Sequence, residues 1–278
     1  MGDPLRDAKA QAAKLSSPSA DTVAEAKDVL RRLGEHGIAA LEQAAEQDEV
    51  RLRARARQFL GELRRDHGLA VLAGVLDGPT SDGLLIEGLF AIDEVLGHGL
   101  REAAEGNLER WGRELARELP RRPTSHDVAE GLRAVLGLRG GLRGAEEDFH
   151  HADHVSLGLT ATTGVGLPLT LCAIYADVAR RAGHEAGLLP FPGHVLLGVG
   201  PAESMVIVDP FSRGALVSQE ASLARLLALA APPSPAWLLP AEDRSMVLRH
   251  TRNLAAALER HGRYGLARAV IELADDSA

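Results

Sequence analysis

The sequence predicts an α+β fold: helices at both ends around a core of one apolar helix and a small antiparallel sheet. Three observations carry this. Apolar residues recur at helical spacing through roughly the first half of the chain and again near its end. Between them, Pro168 to Ala182 reads as a nearly all-apolar helix. It is followed by three short apolar runs separated by Gly/Pro turns, the pattern of an antiparallel meander.

Residues 1–20 are polar and are expected to form a flexible leader. Asp21 is placed to cap a helix carrying Val23, Ala26, Leu30 and Leu33, stopped by Gly34. A second helix carries Ile38, Leu41 and Ala45. A third runs from Asp48 to about His67-Gly68. Within it Arg51, Arg53, Arg55 and Arg57 alternate with other residues; on a helix that period spreads them around the axis, so a solvated surface is expected. Ser81 or Asp82 is placed to cap an apolar helix over Leu84–Leu96. Further helices are expected over about Leu100–Leu119 and from Asp127 through Leu138. Glycines 137, 140, 141 and 144 then mark a loop into the region that carries the motifs.

The core helix starts at Pro168, where a missing N–H costs nothing, and ends with Arg180, Arg181 and Gly183. Strands are expected at Ala186–Leu189, His194–Val199 and Met205–Val208. After Pro232-Pro233, helices over Asp243–Arg260 and Gly265–Ala274 form a hairpin. The expected regions are thus a leader (1–20), a helical region (21–140), a core (141–232) and a C-terminal helical hairpin (233–278).

Composition narrows the function. The 278 residues are 45% hydrophobic and 25% charged, values of an ordinary globular protein. A net charge of −8 and only 3% aromatics argue against nucleic acid as partner. No apolar run approaches the roughly 20 residues needed to span a bilayer, and the first twenty lack an apolar signal core, so neither a membrane nor a secretory role is expected. Cys172 is the sole cysteine, which rules out an internal disulfide and fits a reducing, cytoplasmic setting.

Two strings carry chemistry: Phe191-Pro192-Gly193-His194 and Val208-Asp209-Pro210-Phe211. His194 and Asp209 lie fifteen residues apart, each beside a turn-forming proline at a strand end. An apolar helix, a histidine strand and an aspartate strand, in that order, suit a thiol, imidazole and carboxylate acting together. The helix start, where its dipole would lower a thiol's pKa, carries Pro168, which has no nucleophilic atom. Cys172 lies four residues further in, about 6 Å along the axis, among Leu171, Ala173 and Ile174, and reads better as a small core residue than as a nucleophile. Thr170 is nearer the start, with helix back-bonding as its ordinary role. His150, His151 and His154 beside Asp153 form a second constellation. It reads best as a solvated loop, with a metal site as the weaker alternative, since neither a His-Glu-x-x-His pattern nor a cysteine pair accompanies it.

With Gly166-Leu167-Pro168-Leu169-Thr170-Leu171, Pro192-Gly193-His194 and Asp209-Pro210-Phe211 in this order, the chain resembles the SirB1 family of the transglutaminase-like superfamily. Leu85-Ile86-Glu87-Gly88, Asp148-Phe149, Tyr175 to Gly183, Arg249, Arg252-Asn253-Leu254, Tyr264 and Ala267 extend the resemblance over about residues 21–275. It implies a transglutaminase-like (papain-like) core, HEAT-like helices before it and tetratricopeptide-like helices after it. The chain departs from the family where an Asn-, Ser- and Arg-rich stretch would precede Gly-x-Pro; here the three histidines stand instead. The family tolerates Ser or Thr at the position of Thr170. No well-settled reaction comes with the resemblance.

The expectation is a protein with its nucleophile displaced that binds a peptide or protein in a His194/Asp209 cleft, with His151, His154, Phe191, Gly193 and Phe211 as contact residues and no cofactor. The alternative is acyl or amide chemistry (transfer, cyclisation or hydrolysis) on a small substrate, with His194 as general acid/base, Asp209 orienting it, and Cys172 or Thr170 as nucleophile.

Overall fold

The computed structural model describes residues 3–81, 83–218, 220, 221, 224 and 234–277. Asp82 and the Pro232-Pro233 boundary lie outside them. The chain divides into two compact units, Met1–Ala70 and Val71–Ala278.

In the first unit, α1 (Pro4–Ala13), α2 (Ala20–Arg32), α3 (Glu35–Ala44) and the first part of α4 (Val50–Asp77) enclose a core of Ala8, Ala12, Leu15, Leu30, Leu41 and Phe59. The expected leader is therefore mostly helix. Asp3 caps α1 through the Leu5 N–H, Pro4 opens it, and Ala8, Ala12 and Leu15 form a narrow apolar stripe that a reading for charge alone passes over. Helix α4 also runs past the expected stop, through Gly68 to Asp77. The arginine run is more than a solvated surface. Arg55 donates to the carbonyls of Leu15 and Ser17, Arg57 to Ala45, and Arg53 to Gln47 and Asp48, so three of the four satisfy carbonyls left over at helix ends.

The second unit is built around two buried helices, α5 (Leu84–Leu96) and α9 (Pro168–Arg181). Between them come α6 (Arg101–Glu118) and α7 (Ser125–Leu132), which continues as a π-helical turn over Arg133–Arg139. Thr124 and Asp127 form a reciprocal cap at the start of α7. Two-residue strands β1 (Arg143–Gly144) and β2 (Val165–Gly166) pair in parallel. Strands β3 (Ala186–Leu189), β4 (Leu196–Val199), β5 (Val206–Asp209) and β6 (Ala215–Val217) form an antiparallel sheet in that order, with Leu197 opposite Val208 and Asp209 opposite Ala215. The chain ends in a helical hairpin, α10 (Asp243–Arg260) and α11 (Tyr264–Asp276). The architecture is α+β, as the sequence predicts.

The segment of His150, His151 and His154 is the main correction. It holds a 3₁₀ turn (Ala152–Val155), and after it comes α8 (Leu157–Thr163), a helix the sequence pattern did not reveal. Ser156 caps α8 through the Leu159 N–H, and Thr160, Thr162 and Thr163 bond carbonyls three or four residues back. From α5 the buried Asp93 accepts the Gly158 N–H at 2.7 Å; burial pushes its carboxyl pKa up to about 7 against the pull of these donors. Among the described residues, no helix is long and apolar enough to cross a membrane.

Candidate functional site

His194 and Asp209 meet. The imidazole Nε2 lies 2.9 Å from Asp209 Oδ1. The local chain explains both positions. Gly193 takes a left-handed φ of +72°, which lets the His194 N–H turn back to the Phe191 carbonyl at 3.3 Å just before β4. Asp209 ends β5, and Pro210 opens a 3₁₀ turn whose free N–H groups, from Phe211 and Ser212, the carboxylate accepts. Ser212 adds its hydroxyl to Oδ2 at 3.0 Å. Burial of Asp209 would raise its pKa, but the hydrogen bonds and charge of His194 and the bonds from Ser212 outweigh it and hold the carboxyl below the usual range. An ionised carboxylate only accepts, so His194 Nε2 carries the proton and donates. Among the described residues Nδ1 has no hydrogen-bond partner, and the His194 side chain keeps 26% of its exposure.

Phe211 stacks edge-on to the imidazole with ring centroids 5.5 Å apart, and Phe149 leans on Phe211 at 6.2 Å. Gly144 lies directly under the Phe211 ring: a Cβ there would come within 2.4 Å of three ring carbons. The pair is thus braced from β1 as well as from the sheet.

The two candidate nucleophiles are elsewhere. Cys172 is wholly buried on α9, and its Sγ donates to the Val195 carbonyl at 3.4 Å. Burial first, and Asp209 second, push the thiol pKa well up. Thr170 is also wholly buried. Its hydroxyl faces the Val155 carbonyl at 3.3 Å and His250 Nε2 at 3.3 Å, tying α9 to the 3₁₀ turn and to α10. His250 is itself buried, and Nε2 lies 2.8 Å from the Val155 carbonyl; burial pushes its pKa down to about 4, so it is neutral and Nε2–H donates.

On the side of Gly193 and Val195 opens a cleft of about 250 Å³, whose lining includes Phe149, His150, His151, Leu167, Pro168, Leu169, Arg249, Asn253 and Arg260 but, against the expectation, neither His194 nor Asp209. Pro168 stands in its wall at the start of α9, and no side chain caps that helix. Arg249 donates to the Phe191 carbonyl at 3.1 Å, and partial burial holds its pKa below its ordinary value.

Of the other expected contact residues, Gly193 and His151 line the cleft, as does His150. Phe191 does not: it is 3% exposed and packs with Leu189, Leu196 and Ile207 under the sheet. His154 and Phe211 line an adjoining depression with Gly144, Asp148 and Ser212. The histidines do not converge on a common point. His151 packs edge-on to His261 at 4.8 Å and to His154 at 5.9 Å, and among the described residues no three His, Cys, Asp or Glu side chains are grouped to hold a metal. Sequence reasoning assigned no site role to Arg249, Asn253 and Arg260. Their spacing of four and seven puts them on one face of α10, but only the facing α9 reveals that this face borders a cleft.

A family model for the transglutaminase-like superfamily matches residues 102–252, which include the sheet, α9, His194, Asp209 and Arg249. Two curated proteins, each called UPF0162 protein, come from Xylella fastidiosa strains Temecula1 and 9a5c. They are 29% and 28% identical to the chain over 120 residues, 41% of this chain. The match spans 43% of the length of either relative. No solved structure matches the chain.

Proposed function

The chain belongs to the transglutaminase-like superfamily, and from that premise we propose that it is a member without a nucleophile, binding a peptide segment of a partner protein in the cleft beside His194 and Asp209. The observation behind this is the wall of the cleft at the start of α9. The buried Pro168 sits where a helix dipole would activate a thiol, and the nearest thiol, Cys172, is enclosed and bonded to Val195. The cleft and the braced imidazole remain while the group that would attack a substrate is withdrawn into the core. The SirB1-type motifs around Pro168, His194 and Asp209 support a finer placement in that family. HEAT-like helices before the core and tetratricopeptide-like helices after it belong to the same proposal.

A second reading has one observation in its favour: an imidazole oriented by an ionised carboxylate, partly exposed and with Nδ1 unpartnered, is poised as a general acid/base for acyl or amide chemistry.

The test is selection from a phage-displayed dodecapeptide library on the full chain. Peptides that bind the wild type and lose binding to Ala256→Trp, which fills the cleft from an exposed position, support the binding reading. Selected peptides that bind Ala256→Trp equally well overturn it.

A further inference from the structure

The cleft differs in charge from the rest of the molecule. The protein carries a net charge of −8, yet the described lining of this cleft contains Arg249, Arg260, His150, His151 and Asn253 and no carboxylate. His151 has an acidic neighbour, Asp153, at 3.6 Å. The two arginines have none among the described residues: the only hydrogen bond of Arg249 is to the Phe191 carbonyl, and Arg260 makes none. Most other arginines of this unit that pair at all do so with Asp or Glu, as Arg101, Arg110, Arg113, Arg139, Arg180 and Arg181 do. A guanidinium stays charged in any such setting, so these two present uncompensated positive charge to the cleft.

They also present it in two places. Arg249 and Arg260 lie eleven residues apart on one helix, about 16 Å along its axis. Ala256 and Ala257 leave the space between them open, and the Asn253 amide, with no partner among the described residues, stands on the Arg249 side. An extended chain advances about 3.3 Å per residue, so the two cations match acidic side chains about five residues apart.

We propose that the cleft recognises an acidic peptide segment, with Arg249 and Arg260 each taking a side-chain carboxylate and Asn253 bonding the backbone between them. This rests on the peptide-binding reading above and names the class of peptide.

The probe is an acetylated, amidated deca-glutamate peptide, which has no terminal carboxylate, titrated calorimetrically into the full chain. Binding is expected, weakening about tenfold between low and physiological salt as screening grows. Arg260→Glu, an exposed change that breaks no hydrogen bond or ion pair among the described residues, should weaken binding about tenfold or more, and Arg249→Gln likewise. Arg268→Glu, whose one partner among the described residues is Glu272 on α11, should leave binding unchanged. The inference is overturned if deca-glutamate fails to bind at about 1 mM, or binds Arg260→Glu as well as the wild type. If neutral or basic peptides from the library occupy the cleft while deca-glutamate does not, the acidic class alone falls. If no peptide of any charge occupies it, the binding reading falls too.

Discussion

The Cys172 thiol lies 3.4 Å from the carbonyl oxygen of Val195, the residue after His194. It therefore donates to the backbone of the turn that leads from the imidazole into β4. The bond ties α9 to the residue before β4, and the sulfur is wholly buried.

Cys172 should resist alkylation in the folded protein. Incubation with iodoacetamide followed by intact-mass measurement is expected to show no adduct under native conditions and one adduct in urea. Cys172→Ala should cost about 1 kcal/mol and leave peptide binding intact, because it removes a small buried group and no reacting atom. Native labelling as fast as that of a free thiol would reopen thiol chemistry.

His250 predicts an acid-sensitive step. Its folded pKa is lowered to about 4 from 6.5. Above pH 6.5 both folded and unfolded forms are neutral and the group contributes no pH dependence. Between pH 6.5 and pH 4 the unfolded state takes up a proton that the folded state refuses, so stability falls, by about 3 kcal/mol in total. Below pH 4 the loss stops. His250→Gln should be less stable than wild type at pH 7 and should lack this step. Urea unfolding at intervals across the window measures the difference.

Gly144 should position the imidazole without touching it. A methyl group there would overlap the Phe211 ring, which packs edge-on to His194. Gly144→Ala is expected to cost about 1–3 kcal/mol by overpacking and to shift the imidazole resonances in NMR spectra. Gly106→Ala, at an open helical position, should leave those resonances in place and, if anything, stabilise the helix by up to about 1 kcal/mol. Unmoved His194 resonances in a folded Gly144→Ala would show that the brace is not needed.

The sequence showed the elements whose ends are written in local chemistry. Helix α9 begins at a proline that suits its first turn and ends with two arginines and a glycine, and α10 runs over Asp243–Arg260 as its apolar spacing implies. The His194–Asp209 pair was legible for the same reason: the two prolines and Gly193 fix both side chains by local turns. What escaped depends on distant partners. Strand β6 is three residues long and exists by pairing with β5. Helix α8 is seven residues long, and the acceptor for its Gly158 N–H comes from Asp93, sixty-five residues earlier. The stripe of Arg249, Asn253 and Arg260 looks like any solvated helix face until α9 is placed across from it.

The most direct measurement follows what happens to a bound peptide. A peptide selected on the wild-type cleft is incubated with wild type and with His194→Ala; calorimetry gives the affinities and mass spectrometry gives the peptide's fate. The account predicts affinities within about threefold of each other and an unmodified peptide of unchanged mass in both samples. A peptide cleaved, cyclised or acyl-transferred by wild type and untouched by a folded His194→Ala would contradict it.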